Sequence, residues 1–429
     1  MLRGEFQFDD WWVVVRDEAT QSWTALAARL GGGVRPLLRL SYYLDHSLWG
    51  MVPAGFLATN LALHVGATLL AYALAARRLP SRTAAFLAAA AFAVQPAHAE
   101  VVSYLSGRST GLMAVLLLGG LLAHDLAGQA AGRGRLAREV LSLALFLAAC
   151  LAKEVALIFP VLAWLWDRTG PEERRSRAGS RLAQGLVALG ALATLALSPR
   201  YRFLAAYGAA LRSPLPSALA NARAVPEMLS LWFRPWALSV DHAFDAGPHL
   251  AASALGLCLL MGLAGAAWAA RRRAPLFSFA VGWLLAALAP TNSLLGKADL
   301  VTEKPLYLAW FGPALLLGAL LGRLLERMPT GWPARAAWAG LAGVLCSAGV
   351  ACAARAATWS DARRLWSDAV AKAPGASRAW NNLGMAYFQK GQRAEALASF
   401  ERAVELEPTN GTARLNLALL HAIRPSEGP

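Results

Sequence analysis

The stretch "GFLATNLALHVGATLLAYALAA", residues 55–76, carries no charged side chain and is followed directly by the basic sequence "RRLPSR", residues 77–82. A helix needs about 20 consecutive apolar residues to cross the hydrocarbon core of a bilayer. Arginine and lysine concentrate in the loops on the cytoplasmic side of membrane proteins. The stretch therefore predicts a transmembrane helix whose C-terminal end lies at the cytoplasmic face.

The composition of the whole chain extends this prediction. The 429 residues are 57% hydrophobic and only 16% charged, whereas soluble domains are usually about 25% charged. A net charge of +15 would suit nucleic acid, but most basic residues lie in short clusters between apolar runs, as in membrane proteins. We therefore expect a polytopic membrane protein that contacts membrane lipids and does not bind nucleic acid.

About ten apolar segments are candidates for spanning or entering the bilayer, which predicts an all-α fold, a polytopic bundle of membrane helices. The segments 139–151 and 155–166 are short for full spans because Lys153 and Glu154 interrupt the run, and one long tilted helix is the alternative. The ten segments are 55–76, 83–97, 109–126, 139–151, 155–166, 182–198, 250–270, 275–290, 306–326 and 336–355.

Five basic clusters between these segments all fall on one face of the predicted bundle, which should be cytoplasmic. The opposite face then receives residues 1–54, the turn from His98 to Arg108, the break at Lys153 and Glu154, the long loop 199–249, the stretch 291–305 and the C-terminal tail. The clusters are Arg77, Arg78 and Arg82; Arg133, Arg135 and Arg138; Arg168, Arg174, Arg175, Arg177 and Arg181; Arg271 to Arg273; and Arg323, Arg327 and Arg335.

The tail changes character from about residue 357. The sequence "AWNNLGMAYFQKGQRAEALASFERAVELEP", residues 379–408, has the small and aromatic residues of a tetratricopeptide repeat, in which two helices pack closely. One complete repeat is flanked by two halves, fewer than the three or so that a free stack needs. The tail should therefore dock on the membrane domain, bind a partner protein or begin a longer array. The predicted domains are 1–54, 55–356 and 357–429.

Two adjacent carboxylates, Asp9 and Asp10, stand between aromatic residues in "GEFQFDDWW", residues 4–12. In one interpretation they cap a helix or lie on a solvated face. In the other, one carboxylate at the membrane surface acts as a general base toward a hydroxyl group while its neighbour raises its pKa or orients a donor.

The second polar motif, "VQPAHAEVVSYLSGRS" at residues 94–109, contains His98, Glu100 and Arg108. Its simpler interpretation is a turn between helices, with His98 as a cap and Arg108 reaching toward the membrane surface. Metal binding by His98 and Glu100 is poorly supported, because no third ligand is near in sequence.

Charged residues also interrupt "LAKEVALIFPVLAWLWD", residues 151–167. Ionisable groups in apolar sequence are costly unless they are paired or face a cavity, so Lys153 and Glu154 are candidates for function. They form a mutual salt bridge in the simpler interpretation, whereas in the functional one Lys153 neutralises the phosphate of a lipid carrier.

The stretch "NSLLGKADLVTEKPLYLAWFGP", residues 292–313, places Glu303, Lys304 and Tyr307 just before an apolar helix. An interfacial belt of tyrosine and lysine anchors is the alternative to a functional role.

Taken in order, these motifs resemble the GT-C superfamily of extracytoplasmic-facing glycosyltransferases, in particular the transmembrane and tetratricopeptide-repeat O-mannosyltransferase-like proteins and their bacterial relatives. The resemblance covers nearly the whole chain. It is carried by "FQFDDWWVVVRDEA", "RPLLRLSYYLDHSLWGMVPAGFLATNLALHV", "FAVQPAHAEVVSYLSGRS", "LAKEVALIFPVLAWLWD", "WFRPWALSVDH", "LAPTNSLLGKADLVTEKPLYL" and the repeat.

The resemblance implies an inverting transfer of a mannose-like sugar from a polyprenyl phosphate to a hydroxyl acceptor, a protein serine or threonine, at the periplasmic face of a bacterial inner membrane. It implies catalytic roles for Asp9, Asp10 and Glu100. The implied ligands of the donor phosphate are Lys153, Arg108 and Lys304. The further candidates at matching positions are His98, Glu154, Glu303 and Tyr307.

The chain departs from the family pattern at three places. Family members have a helix before the aspartates, whereas eight residues precede Asp9 here, and we expect a truncated or misassigned start. Lys304 stands at a position usually held by arginine and lacks its bidentate geometry. Gln95 stands where the family often has histidine.

These departures support a rival from another class, an inactive membrane-anchored scaffold whose repeat recruits a partner. A transporter fits poorly because the ionisable residues cluster on one face and not at the midplane. No cofactor is required by the motifs. Acidic residues at the outer face are of the type that binds Mg²⁺, but their spacing does not demand it. The cysteines fit small core residues: Cys150, Cys258, Cys346 and Cys352.

Overall fold

The chain is predominantly helical in the parts that the structure, a computed structural model, describes: residue 2 and residues 4–31, 33–170, 178–292, 294 and 296–422. No strand occurs within these ranges. The predicted all-α architecture is therefore confirmed. Three arginines of the predicted basic clusters, Arg174, Arg175 and Arg177, lie outside the described residues.

The N-terminal segment, residues 4–52, is built from short helices instead of an irregular loop. The Asp17 carboxylate accepts the Ala19 N–H at 3.1 Å and also pairs with Arg29 and Arg39, which satisfies both a helix start and two cations. The elements are a π-helix Trp11–Val15 and the α-helices Glu18–Gln21 (α1), Trp23–Leu30 (α2) and Pro36–Trp49 (α3).

Five helices in the described ranges are long and apolar enough to cross a membrane, and a bent pair, Arg82–Ala93 with Pro96–Ser103, would make a sixth. Their number and composition agree with a multi-pass membrane protein. The five are Pro53–Arg78 (α4), Leu105–Gly128, Ala178–Leu197 (α10), Leu250–Ala270 (α13) and Trp332–Thr358 (α17).

The remaining predicted segments form helices that are shorter or carry charges. Lys153 is extended and precedes a 3₁₀ turn, Glu154–Ile158, so the alternative of one long helix through this region is wrong. The helices are Arg82–Ala93 (α5), Ala99–Ser103 (α6), Arg108–Gly128 (α7), Gly132–Ala152 (α8), Phe159–Thr169 (α9), Pro275–Leu288 (α14), Lys304–Ala309 (α15) and Phe311–Arg327 (α16).

The predicted loop 199–249 also contains helices, Pro199–Leu211 (α11) and Pro214–Ser230 (α12). Each begins with a proline, whose fixed φ and missing N–H suit the first helical turn. Ala220, Ala224 and Met228 are buried at a spacing of four residues, so α12 packs one face against the bundle. The expectation of a plain loop here is wrong because the buried positions repeat with helical period.

Small residues allow a close helix contact between α5 and α16. A Cβ added at Gly318 would lie 2.5 Å from the Ala84 carbonyl oxygen, and one added at Gly322 would lie 2.7 Å from the Ala84 Cβ. Membrane helices associate through van der Waals packing, and small residues four apart let the backbones approach. The pair Gly318 and Gly322 therefore brings α16 against the N-terminal half of α5.

The tail forms the helices Ala362–Lys372 (α18), Ser377–Gln389 (α19), Arg393–Leu406 (α20) and Gly411–Ala422 (α21). It docks on the membrane domain, which is one of the three arrangements expected from its length. Phe8 meets the Trp366 ring edge-on at 4.9 Å between centroids. The Gln7 side chain donates to the Trp359 carbonyl at 2.5 Å. The N-terminal segment and the repeat therefore lie on the same side of the bundle.

Candidate functional site

Asp10 is completely buried where the N-terminal segment meets the turn before α7. Its Oδ2 accepts the Gln7 N–H at 3.0 Å, and its Oδ1 accepts the Ser106 N–H at 3.0 Å and the Ser106 hydroxyl at 2.7 Å. Burial raises the pKa of Asp10 to about 7, although these hydrogen bonds favour the ionised form. Asp10 thus connects the N-terminal segment to the turn before α7.

Asp9, in contrast, is exposed, and no hydrogen-bond partner of its carboxylate occurs among the described residues. Its backbone carbonyl accepts the N–H groups of Trp12 and Val13 at 2.9 and 2.8 Å. The backbone of Asp9 is therefore held by the π-helix while the side chain is available to a solute. The two neighbouring carboxylates differ in environment, so the structure separates their roles.

Tyr104 connects the aspartate segment to Lys304. Its ring stacks on Trp359 at 5.3 Å and meets Phe8 edge-on at 5.8 Å. The Lys304 ammonium lies 4.8 Å from the ring centroid, within the range of a cation–π contact. Burial raises the pKa of the Tyr104 phenol, and the nearby Asp10 and Asp9 carboxylates raise it further. Lys304 is thus placed close to the segment that carries Asp9.

Lys304 also pairs with Glu100, the acidic residue of the second outer motif. The Lys304 Nζ lies 3.2 Å from the Glu100 Oε1, and the Glu100 side chain is largely buried. Two predicted site residues from distant parts of the sequence therefore meet in the fold.

A small cavity of about 20 Å³ lies beside this pair and is lined by both Lys153 and Lys304, together with Thr110 and Thr291. The Lys153 Nζ donates to the Thr110 Oγ1 at 2.7 Å. A cavity of this size has room for roughly one water-sized group. Two ammonium groups and one carboxylate, Glu100, leave an excess of positive charge, which favours an anionic oxygen at this place.

Glu154 faces a different partner from its neighbour in sequence. Arg35 of the N-terminal segment donates two hydrogen bonds to the Glu154 carboxylate, from Nη2 to Oε1 at 2.6 Å and from Nε to Oε2 at 3.0 Å. Tyr201 of α11 donates to Oε2 at 3.3 Å. The predicted mutual salt bridge between Lys153 and Glu154 is therefore wrong, because the guanidinium of Arg35 binds both carboxylate oxygens of Glu154.

Arg108 is fully buried and has several partners within the fold. Its guanidinium pairs with Asp45 and donates to the Asn60 Oδ1 at 2.8 Å and the Phe56 carbonyl at 2.8 Å. It also lies over the Tyr42 ring at 4.7 Å. These contacts join α3, α4 and α7, so Arg108 acts as a structural connector in this geometry.

His98 lies in a buried aromatic cluster with Tyr307. The ring centroids are 4.5 Å apart, and neither ring nitrogen of His98 has a hydrogen-bond partner in the described structure. The Tyr307 hydroxyl instead forms a 2.9 Å hydrogen bond with the His64 Nδ1. The cluster packs under the outer turn and does not open into the lysine cavity.

Glu303 is completely buried at the start of α15. Its Oε1 accepts the Ser239 N–H at 2.8 Å and lies 3.4 Å from Nη2 of Arg355, at the end of α17. Glu303 and Lys304 are adjacent in sequence but face different surroundings, one toward the repeat and the other toward the cavity.

An open groove of about 820 Å³ runs between the N-terminal segment and α19. Phe6, Trp11 and Trp12 line one wall. The other wall is one face of α19, with Asn382, Met385, Ala386 and Gln389 at helical spacing. The groove is large enough for an extended peptide segment and borders the residues on either side of Asp9.

Metal binding finds no support in the described part of the chain. There, no three side chains of histidine, cysteine, aspartate or glutamate come together as ligands of one ion. We therefore assign no residue to a metal.

Residues 377–410 match the tetratricopeptide repeat family. The chain is 35% identical over 181 residues to Protein O-mannosyl-transferase Tmtc1 of Drosophila melanogaster, across 41% of this chain and 20% of the relative. It is 31% identical over 199 residues to Protein O-mannosyl-transferase TMTC1 of Mus musculus, across 41% of this chain and 21% of the relative. The resemblance to the TMTC family is confirmed. The chain spans about a fifth of the length of these curated relatives.

The chain is also similar to a solved structure, ArnT from Cupriavidus metallidurans bound to undecaprenyl phosphate. The identity is 16%, the match covers 98% of this chain and 73% of that one, and the TM-score is 0.49.

Three residues of the candidate site were not predicted from the sequence. Tyr104 and Thr110 lie in or beside the second outer motif, where proximity to Glu100 was the available signal. Arg35 is 119 positions from Glu154, and its sequence context "VRPLL" gave no sign of that pairing.

Proposed function

We propose that this protein is a membrane glycosyltransferase that moves a sugar from a polyprenyl-phosphate donor to a hydroxyl acceptor at the outer, periplasmic face of a bacterial inner membrane. The observation that carries the proposal is the convergence of Lys153 and Lys304 on one small cavity with a single carboxylate, Glu100, beside it. The similarity to two proteins named O-mannosyl-transferases supports a mannose-like sugar.

In the proposed reaction the acceptor oxygen attacks the anomeric carbon from the face opposite the phosphate. The new C–O bond forms as the bond between that carbon and the phosphate oxygen breaks, so the configuration inverts. The phosphate leaves with the electron pair, and the ammonium groups of Lys153 and Lys304 stabilise its negative charge. Glu100 holds Lys304 in place through their ion pair.

The acceptor proton passes to Asp9, the exposed carboxylate. Asp10 is a positioning residue in this proposal, because its oxygens are taken by Gln7 and Ser106. The groove along α19 would hold the polypeptide that presents the serine or threonine hydroxyl.

Not every residue implied by the family resemblance enters the proposed chemistry. Arg108 is left out of the donor site because its donors are used by Asp45, Asn60 and Phe56. His98 and Tyr307 pack against each other and have a structural role in this proposal. Glu154 orders the N-terminal segment through Arg35.

The test uses the full chain purified in detergent, with radiolabelled polyprenyl-phosphate mannose and a library of serine- and threonine-containing peptides. Lys153→Ala and Lys304→Ala should each weaken donor binding about tenfold or more, as expected when a charged hydrogen-bond donor is removed. Lys297→Ala is the matched control, because it comes from the same stretch and does not line the cavity. Equal donor affinity in all four proteins would contradict the phosphate site.

A second outcome would favour the scaffold. If the wild-type chain transfers no sugar from several polyprenyl-phosphate donors, yet binds a polypeptide along α19 that Asn382→Ala with Met385→Ala releases, the groove serves recruitment alone.

A further inference from the structure

Glu303 and Lys304 share one peptide bond at the start of α15 but belong to two different contact networks. The Glu303 carbonyl accepts the Leu306 N–H at 3.0 Å, which fixes both residues to the first turn of the helix. Lys304 points to Glu100 and the cavity. Any displacement of the Glu303 side chain and its backbone would therefore displace the ammonium group of Lys304.

The Glu303 network leads directly to the repeat through Arg355. This guanidinium is buried and donates from Nη1 to the Asp368 Oδ2 on α18 at 3.0 Å, while its Nη2 lies 3.4 Å from the Glu303 Oε1. A single cation thus joins a carboxylate of the membrane domain to a carboxylate of the repeat. Buried charges of this kind are stable only when all partners stay in place.

A second route passes through residues 238–241. Ser239 donates its N–H to Glu303 at 2.8 Å. On the other side of this segment, the Lys372 Nζ donates to the Leu238 carbonyl at 2.6 Å and the Arg378 Nε donates to the Asp241 Oδ2 at 2.7 Å. Two cations of the repeat therefore hold the segment against Glu303.

We infer that docking of the tetratricopeptide repeat positions Lys304 in the anion cavity, with Glu303 and Arg355 as positioning residues. The inference rests on the proposed function of Lys153 and Lys304 as ligands of a polyprenyl phosphate. It assigns the repeat a part in donor binding, separate from any acceptor held in the groove. The coupling is reciprocal, so bound polyprenyl phosphate tightens the docked repeat.

The test measures the affinity of the full chain for farnesyl phosphate, a short soluble probe. Asp368→Lys places a cation against Arg355 and Lys372 and should weaken binding about fivefold or more, the lower range of coupling between sites. Asp368→Glu keeps the carboxylate and should bind farnesyl phosphate as tightly as the wild-type chain does. Glu405→Lys is the matched control, since Glu405 is an exposed carboxylate of the same repeat, paired only with Arg402 among the described residues.

A double-mutant cycle separates positioning from general damage. If the repeat acts through Lys304, adding Asp368→Lys to Lys304→Ala causes no further loss of affinity. An equal loss in both backgrounds, or no loss in either, would overturn the inference. Should Asp368→Lys fail to fold, Lys372→Ala with Arg378→Ala removes the second route at partly exposed side chains and enters the same cycle.

Failure of the proposed function has a different signature. In that case Lys153→Ala and Lys304→Ala both leave farnesyl phosphate affinity unchanged, and the inference falls with it. If Lys304→Ala weakens binding while both repeat variants leave it unchanged, only the inference is wrong.

Discussion

Arg35 and Glu154 form a two-point ion pair across 119 positions of sequence, with contacts of 2.6 and 3.0 Å. Arg35 adopts a left-handed backbone conformation, with φ of 54°, one residue before Pro36 starts α3. The pair binds the N-terminal segment to the break between α8 and α9, where Lys153 enters the cavity. The segment with the aspartates and the lysine site are thereby held in one unit.

Arg35→Ala should lower the stability of the protein by about 1–3 kcal/mol, because it leaves a largely shielded carboxylate without its cation. Arg35→Lys should be more stable than Arg35→Ala but less stable than the wild type, since an ammonium group cannot form the two parallel hydrogen bonds that a guanidinium makes to a carboxylate. Thermal unfolding in detergent measures both. The control is Arg402→Ala, which breaks an exposed pair with Glu405 and should cost less than about 1 kcal/mol. Equal effects of Arg35→Ala and Arg402→Ala would argue against a structural role for the pair.

Asp9→Asn should affect sugar transfer, whereas Asp10→Asn should affect the stability of the protein. Asp9→Asn removes the proposed base and should reduce sugar transfer by about 100-fold or more while the melting temperature stays unchanged. Asp10→Asn should lower the melting temperature, because an amide has one acceptor oxygen for the donors on Gln7 and Ser106. Transfer assays and thermal unfolding on the same preparations measure this. Full activity of Asp9→Asn would remove Asp9 from the mechanism.

The burial of Asp10 predicts a pH dependence of stability. Its pKa is raised to about 7 in the fold, so the folded protein binds the proton more tightly than the unfolded chain does. The contribution of Asp10 to stability should therefore fall as the pH rises from about 4 to about 7, by roughly 1–3 kcal/mol. Asp10→Asn has no titratable carboxyl group at this position. The difference in melting temperature, wild type minus Asp10→Asn, should decrease over that pH range, and a constant difference would show that Asp10 stays ionised.

Gly318→Ala should destabilise the contact between α16 and α5. The added methyl group would lie 2.5 Å from the Ala84 carbonyl oxygen, so the helices must separate, at a cost of about 1–3 kcal/mol. Gly340→Ala in α17 is the matched control, because nothing lies within 4 Å of its added Cβ. Melting temperatures of the two variants in the same detergent give the comparison. A smaller loss for Gly318→Ala than for Gly340→Ala would contradict the packing.

The helical membrane fold was predictable because apolar runs and their basic ends are local signals. The repeat was equally clear, since the spacing of Trp380, Gly384 and Phe400 reflects the packing of two neighbouring helices. The helices of the loop 199–249 were missed because each begins with a proline, which also marks loops.

The candidate site was predictable only by residue type. Lys153 stood out as a charge within an apolar run, while Glu100 and Lys304 were implied by the family resemblance, and the fold brings all three together. The sequence did not reveal that Asp10 is buried while Asp9 is exposed, or that Arg108 is used within the fold. Those distinctions depend on partners far apart in sequence, such as Ser106, Asn60 and Asp45.

The contact between the Gln7 side chain and the Trp359 carbonyl spans 352 positions. At a translation rate of about 5–20 residues per second, the second partner is made about 18 to 70 s after the first. Until then Phe8 has no Trp366 ring against which to pack. The chain therefore completes its membrane helices before its N-terminal segment can meet the tail, so this contact forms as one of the last events of biosynthesis.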